Sequence, residues 1–279
     1  MEYAHTLTVK QHQVMSIIHP GELGNNIGVL IVVGGPQYRV GSHRQFVQLA
    51  RSLAHAGFTT MRFDYTGMGD SQGEKAEFDD IDSDINAAID GFMNKQPELE
   101  RVVIWGLCDA ASAALIYAHQ DQRVEGLVLL NPWLKSDQAK GKSMLKFYYL
   151  QRLLSKDFWR KLATGKVNVK SSMQDVKGFA ADSLSRDMGG AEQSYQLRMA
   201  EGLKLYQGKL MLILSGNDLT AKEFEQQAFT EKDWKKIKSA HCTTHKLPTS
   251  DHTFSTSEWK QQVEEHTIEF MRTYKREVK

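Results

Sequence analysis

Four short stretches of this chain are apolar almost from end to end: residues 28–33, 102–105, 124–130 and 209–214. A strand with one wet face alternates apolar and polar residues. A strand covered on both faces does not need to, and reads as a continuous apolar run. Between these runs lie segments with helical periodicity. Residues 44–55 place Phe46, Val47, Leu49, Ala50, Leu53 and Ala54 on one face, and Gly57 closes the segment. Residues 81–93 carry the stripe Ile81, Ile85, Ala88, Ile89 and Phe92, and residues 110–119 read as a third helix. A further strand is read at 59–65, and residues 6–18 read as an opening antiparallel hairpin. Strands alternating with helices predict parallel β-α-β units in a doubly wound, mostly parallel sheet.

The alternation stops at residue 133 and resumes at 209. The intervening 133–208 holds no convincing strand, but has helical segments at 143–154 and 192–206. This predicts a core of 1–132 and 209–279 with a helical cap or lid inserted between them. The first half of the insertion is rich in lysine and arginine, opposed only by Asp137, Asp157 and Asp175. A helix over 221–238, a strand over 243–247 and an amphipathic helix over 257–274 complete the pattern.

Composition narrows the function classes. A chain of 279 residues is long enough for one large domain with an insertion. A net charge of +1 gives no general pull toward nucleic acid. No stretch approaches the roughly 20 apolar residues of a membrane span. The first residues lack the basic-then-apolar pattern of a signal peptide. Two cysteines, Cys108 and Cys242, are too few for a disulfide framework. The expectation is a cytoplasmic protein without a transmembrane segment.

The chemistry concentrates after the 102–105 run. There Gly106-Leu107-Cys108-Asp109-Ala110 leads into a helix. Strand, sharp turn and helix form the setting of a nucleophile elbow, usually G-x-S-x-G. Cys108 takes the central place and Ala110 the last. Asp218 follows the 209–214 strand in Ser215-Gly216-Asn217-Asp218, and His252 follows the final strand in Ser250-Asp251-His252-Thr253-Phe254. All three fall at strand carboxyl ends, where an open α/β sheet places its ligand site.

Each residue type has a reason to be there. The thiolate, not the thiol, is the nucleophile. An imidazole can take its proton, and a carboxylate orients and charge-stabilises that imidazole. The N–H of Asp109 would give one oxyanion donor. The loop Gly34-Gly35-Pro36-Gln37-Tyr38 should give the other; Pro36 has no N–H, leaving Gly35 or Gln37.

The order nucleophile, acid, histidine is that of α/β hydrolases, and Arg62-Phe63-Asp64-Tyr65-Thr66-Gly67-Met68-Gly69-Asp70-Ser71 resembles their R-x-D-x-x-G-x-G-x-S loop. That resemblance spans nearly the whole chain. It implies the α/β-hydrolase fold and a structural role for the loop, which turns the chain under the site. More finely, the stretch 105–114, Trp105-Gly106-Leu107-Cys108-Asp109-Ala110 and its alanine-rich continuation, resembles the hydrolase 1 family associated with the exosortase A system. That resemblance implies a setting near exopolysaccharide and protein-sorting pathways. Dienelactone hydrolases, with a Cys-Asp-His triad on the same fold, are a more distant comparison.

The expectation is therefore an esterase- or thioesterase-like hydrolase that works through an acyl-Cys108 intermediate. It needs no metal and no organic cofactor. Its substrate is a small-molecule or carrier-bound acyl compound, and the basic insertion would suit an anionic one. Two alternatives stand beside this: acyl transfer by the same triad, and an inactive scaffold that binds a ligand in the old site. Asp218 is also placed to cap the helix after it. Asp109 reads foremost as a helix cap, His43 as a cap or supporting group, Arg39 and Arg44 as solvated charges able to meet an anion, and Asp251 as a loop residue. Cys242 beside His241 lacks the spacing and further ligands of a metal site.

Overall fold

The structure is a computed structural model that describes residues 2–21, 25–35, 37–134, 194–230, 232–239 and 241–274. Among the described residues, eight strands form one sheet: β1 (Tyr3–Val9), β2 (His12–His19), β3 (Ile27–Val32), β4 (Thr60–Phe63), β5 (Arg101–Leu107), β6 (Val124–Leu130), β7 (Lys209–Ser215) and β8 (Cys242–Leu247). Their spatial order is β1-β2-β4-β3-β5-β6-β7-β8. The β1–β2 hairpin joins β4 antiparallel, and every pairing from β4 to β8 is parallel. This is the doubly wound sheet of the α/β-hydrolase fold.

Among the described residues, the helices are α1 (Gln45–His55), α2 (Asp82–Lys95), α3 (Asp109–Tyr117), α4 (Tyr195–Leu205), α5 (Leu219–Ala228) and α6 (Ser257–Arg272). Two apolar layers sandwich the sheet. In β3, Leu30 and Val32 face the layer built with α2, α3, α4 and α5. Ile27, Val29 and Ile31 face the layer built with α1 and α6. Both faces of β3 are thus dry, which is why its sequence shows no alternation.

Two elements differ from expectation. The helix read at 221–238 begins at Leu219, capped by Asp218, and ends at Ala228. Thr230 Oγ1 then donates to Gln226 O (2.6 Å) and Gln227 O, and a 3₁₀ segment over Lys232–Lys238 turns Trp234 and Ile237 into the core. In addition, α4 fell within the expected insertion. It packs on the core unit, which comprises 1–134 and 195–279. Met199 and Leu203 are fully buried there. Gly202 approaches α3 so closely that a Cβ would sit 2.1 Å from Leu115 O. The rest of the expected cap, with its 143–154 helix and basic run, lies outside the described residues.

The loop after β4 shows why its residues are fixed. Arg39 pairs with Asp64 and with Asp70 (2.6 Å to the latter). Asp70 N–H donates to Asp64 Oδ2 (3.2 Å), and Ser71 Oγ donates to Asp64 O (2.7 Å). Arg62 donates to Arg39 O and His19 Nε2. Gly69 has φ +52, and a Cβ there would overlap the Asp64 carboxylate at 2.2 Å. Asp64 is completely buried, so this mesh satisfies a carboxylate that would otherwise be costly to bury. Arg39 is a member of this mesh, which corrects its reading as a solvated charge.

Candidate active site

Cys108 stands between β5 and α3 with φ 63 and ψ −125, a strained conformation for a residue with a side chain. Its backbone is held on both sides: its N–H donates to Leu130 O (2.9 Å), and its carbonyl accepts from Ala111 and Trp133 N–H groups (3.1 and 3.2 Å). The turn is tight because Gly106 allows α3 to lie against the end of β5. A Cβ on Gly106 would come within 2.7 Å of Ala110 backbone atoms. The strand–turn–helix arrangement thus has the geometry of a nucleophile elbow, with a half-buried thiol at its apex.

Asp218 ends the loop after β7, at the N-cap of α5. Its Oδ1 accepts from Thr220 N–H (3.3 Å) and its Oδ2 from Ala221 N–H (3.0 Å). The same Oδ2 lies 2.8 Å from His252 Nδ1. Capping and pairing with histidine appear as alternatives in the sequence; one carboxylate performs both. The cap bonds fix its orientation, and that orientation aims it at the imidazole.

His252 is the meeting point. Burial opposes its charged form, but the hydrogen bond to Asp218 and the pull of Cys108 outweigh burial and raise its pKa to about 10. Cys108, His252 and Asp218 therefore come together in the order the chain suggests. By contrast, Cys242 on the edge strand has its thiol pushed up to about 11 by burial.

The loop after β3 departs from expectation. The Gly35 N–H donates to Asp109 Oδ1 (2.6 Å), so Gly35 is engaged rather than open as an oxyanion donor. A Cβ on Gly34 would sit 2.2 Å from that same oxygen. Burial pushes the Asp109 carboxyl up, against the pull of the Gly35 and Ala110 amides and of Lys75. The Asp109 side chain thus latches the β3 loop to the elbow; the N-cap position of α3 is Cys108, with no side-chain cap bond, which corrects the reading of Asp109 as the helix cap. At the other flank of this loop, Gln37 Oε1 accepts from Ser42 N–H (2.9 Å) and Gln45 Nε2 (3.3 Å). His43 and Arg44 follow with φ 50 and 62 and make no side-chain cap bond to the helix they open.

Asp251 is a loop residue, as expected. Its carboxylate accepts from the N–H groups of Thr253 (3.2 Å) and Ser255 (3.0 Å) and from Ser255 Oγ.

Two further residues escaped the sequence. Asn131, directly after β6, is fully buried with φ 42. Its Nδ2 donates to Ser215 Oγ (2.8 Å) and to His252 O (3.0 Å), and its Oδ1 accepts from Ser215 N–H (2.8 Å). Ser215 Oγ in turn donates to Asp251 O (2.8 Å). The available signal was positional: Asn131 is the polar residue that ends an apolar strand, at the same sheet edge as the other three.

Among the described residues, no helix is long and apolar enough to cross a membrane. Residues 28–255 match the family model described as serine aminopeptidase, S33. The esterase Pf2001 of Pyrococcus furiosus superposes with a TM-score of 0.70 at 16% identity, covering 98% of this chain and 91% of that one. Est1E of Butyrivibrio proteoclasticus, with ferulic acid bound, gives 0.63 at 15%, covering 97% and 98%. A segment is 35% identical over 103 residues to the uncharacterized protein PA2218 of Pseudomonas aeruginosa, spanning 35% of this chain and 27% of that protein's length. With the doubly wound sheet, the elbow and the Asp–His pair at its edge, the match over 28–255 shows that this chain belongs to the serine aminopeptidase S33 family of α/β hydrolases.

Proposed function

We propose that this protein hydrolyses an ester or thioester through a covalent acyl intermediate on Cys108. The observation that carries this reading is the 2.8 Å bond between His252 Nδ1 and Asp218 Oδ2, beside a Cys108 at the apex of the β5–α3 turn whose pull helps raise the His252 pKa. With Nδ1 committed to Asp218, Nε2 is the nitrogen left to face the thiol.

The steps follow from that geometry. Cys108 Sγ attacks the acyl carbonyl carbon while His252 Nε2 holds the proton. The resulting oxyanion is met by the Asp109 N–H at the start of α3, where the helix dipole also favours negative charge. Gln37 is the loop residue left to donate the second bond, because Gly35 donates to Asp109 and Pro36 has no N–H. The carbon–oxygen or carbon–sulfur bond breaks, His252 protonates the leaving group, and the acyl group remains as a thioester. Water then attacks with His252 as base, and the acid leaves as Cys108 Sγ is restored. Asp218 orients the ring and stabilises its charge throughout.

An ester or thioester fits a thiol nucleophile better than a peptide does. Expelling an amine demands more of the acid than expelling an alkoxide or thiolate. The family is named for a serine and an aminopeptidase, whereas the apex here is cysteine. The esterase activity of Pf2001, on the same fold, supports the ester reading. A cytoplasmic setting and a small or carrier-bound acyl substrate belong to this proposal.

The test is steady-state turnover of a panel of p-nitrophenyl esters and acyl thioesters by the wild type and by Cys108→Ala. The proposal expects measurable hydrolysis that falls by at least about 10³-fold in the variant. Equal rates in the two proteins would overturn it. Ligand binding without turnover in either would favour the scaffold reading.

A further inference from the structure

We propose that Asn131 and Ser215 act together as positioning residues for His252, gripping the backbone of its loop from the ends of β6 and β7. This rests on the triad reading above.

The two side chains hold consecutive carbonyls. Asn131 Nδ2 donates to His252 O at 3.0 Å, and Ser215 Oγ donates to Asp251 O at 2.8 Å. They also bind each other, Nδ2 to Oγ at 2.8 Å and Ser215 N–H to Oδ1 at 2.8 Å. Both Nδ2 hydrogens and the Oδ1 acceptor of Asn131 are thereby used, as is the single hydroxyl hydrogen of Ser215. The amide orientation is forced. Reversed, its NH₂ would face the Ser215 N–H and its oxygen would face the His252 carbonyl.

The burial and strain make the arrangement specific. Asn131 and Ser215 are buried at 0% and 4% exposure, so each unmade bond would leave a costly orphan. Asn131 adopts φ 42, which asparagine tolerates better than most residues and which turns its side chain out of the strand direction. Its own N–H donates to Ile213 O (3.1 Å), extending the β6–β7 pairing by one residue.

Neighbouring bonds hold the loop but stop short of His252. Gly216 N–H donates to Leu247 O (2.9 Å) and Asn217 N–H to Ser250 O (3.0 Å). Together these tie the Asp218 loop to the stretch before the histidine. Of the side chains gripping this stretch from the neighbouring strand ends, Asn131 reaches the His252 backbone itself. The imidazole must keep its 2.8 Å bond to Asp218 while facing Cys108, so a small rotation of its backbone would cost it one or the other.

The test measures the rate of Cys108 alkylation by iodoacetamide at pH 7, read by peptide mass spectrometry with Cys242 as internal standard. Wild type and His252→Gln set the range. Asn131→Gly is the informative variant, because glycine accepts φ 42 and only the side-chain bonds are lost. Ser215→Ala removes the second grip, and Ser215→Thr keeps the hydroxyl. In both loss variants the rate should fall about tenfold toward that of His252→Gln, within the roughly 10²-fold that a 1 Å misplacement can cost. Ser215→Thr should restore most of it. Thermal melting confirms that the proteins compared are folded, and if Asn131→Gly does not fold, Ser215→Ala decides. A lowered Tm with wild-type alkylation rates would mean a purely structural role and overturn the proposal. If wild type and His252→Gln react alike, the triad reading fails first and the positioning role falls with it.

Discussion

The side chain following the proposed nucleophile carries a tension of its own. Asp109 gives its N–H to the proposed oxyanion site, yet its carboxylate lies beside that site, bonded to Gly35 at 2.6 Å. A negative charge there opposes the developing oxyanion. Asp109→Asn keeps an acceptor for Gly35 and removes the charge. Its acylation rate, measured in a rapid-mixing burst, is expected to rise by up to about tenfold, roughly one 1.4 kcal/mol charge interaction. A large fall would instead show the carboxylate acting in the reaction. Stability should follow the same charge. Burial raises the Asp109 pKa above its ordinary 3.8, so ionising it costs more in the folded state than in the unfolded. Stability is thus lost as the pH rises above the ordinary carboxylate range. The Tm of Asp109→Asn should exceed that of wild type at neutral pH and converge on it below pH 3.8. At this scale the sequence was legible for Cys108, Asp218 and His252, because each sits in a motif at a strand end. It was silent on the Asp109–Gly35 bond and on Asn131, because side-chain bonds between distant loops leave no periodic trace.

At the scale of elements, the elbow depends on how closely α3 approaches β5. Gly106→Ala would place a Cβ 2.7 Å from the Ala110 carbonyl group, against backbone that cannot yield without moving the helix start. A destabilisation of about 1–3 kcal/mol is expected in urea melts, as for other overpacked sites, with Cys108 displaced and alkylation slowed. A wild-type midpoint would contradict this account of the turn. The inner strands β3, β5, β6 and β7 were readable because each is buried on both faces and carries a nearly continuous apolar run. The end of α5 was not. No glycine or proline marks it, and the helical pattern runs on through Trp234 and Ile237, which reach the core from a 3₁₀ segment instead. The placement of α4 was missed for a related reason. A helix at the sheet's flank and a helix in an insertion share the same periodicity, and only its buried Met199 and Leu203 tell them apart.

Across the whole molecule, two apolar layers carry the fold, and the carboxyl edge of the sheet carries the charge chemistry. That edge should be visible in the pH dependence of stability. The folded His252 value of about 10 lies above its ordinary 6.5. Its protonation therefore stabilises the fold fully below pH 6.5, and that contribution is lost as the pH rises toward about 10. The Tm difference between wild type and His252→Gln should shrink across that window. In Cys108→Ala the window should close at its upper end, since Cys108 is one of the two groups that hold the proton. A difference independent of pH would mean that the imidazole is not coupled to its partners. The fold class was legible from the alternation of runs, and the site from its place on that fold; the acyl group the site accepts is written in neither. The central claim is a covalent bond to one sulfur, and the most direct measurement is mass spectrometry after a millisecond quench with p-nitrophenyl acetate. The account predicts an added acetyl group on the peptide containing Cys108, absent in Cys108→Ala and accumulating in the wild type before steady state. An unmodified Cys108 in an enzyme that is turning over ester would contradict it.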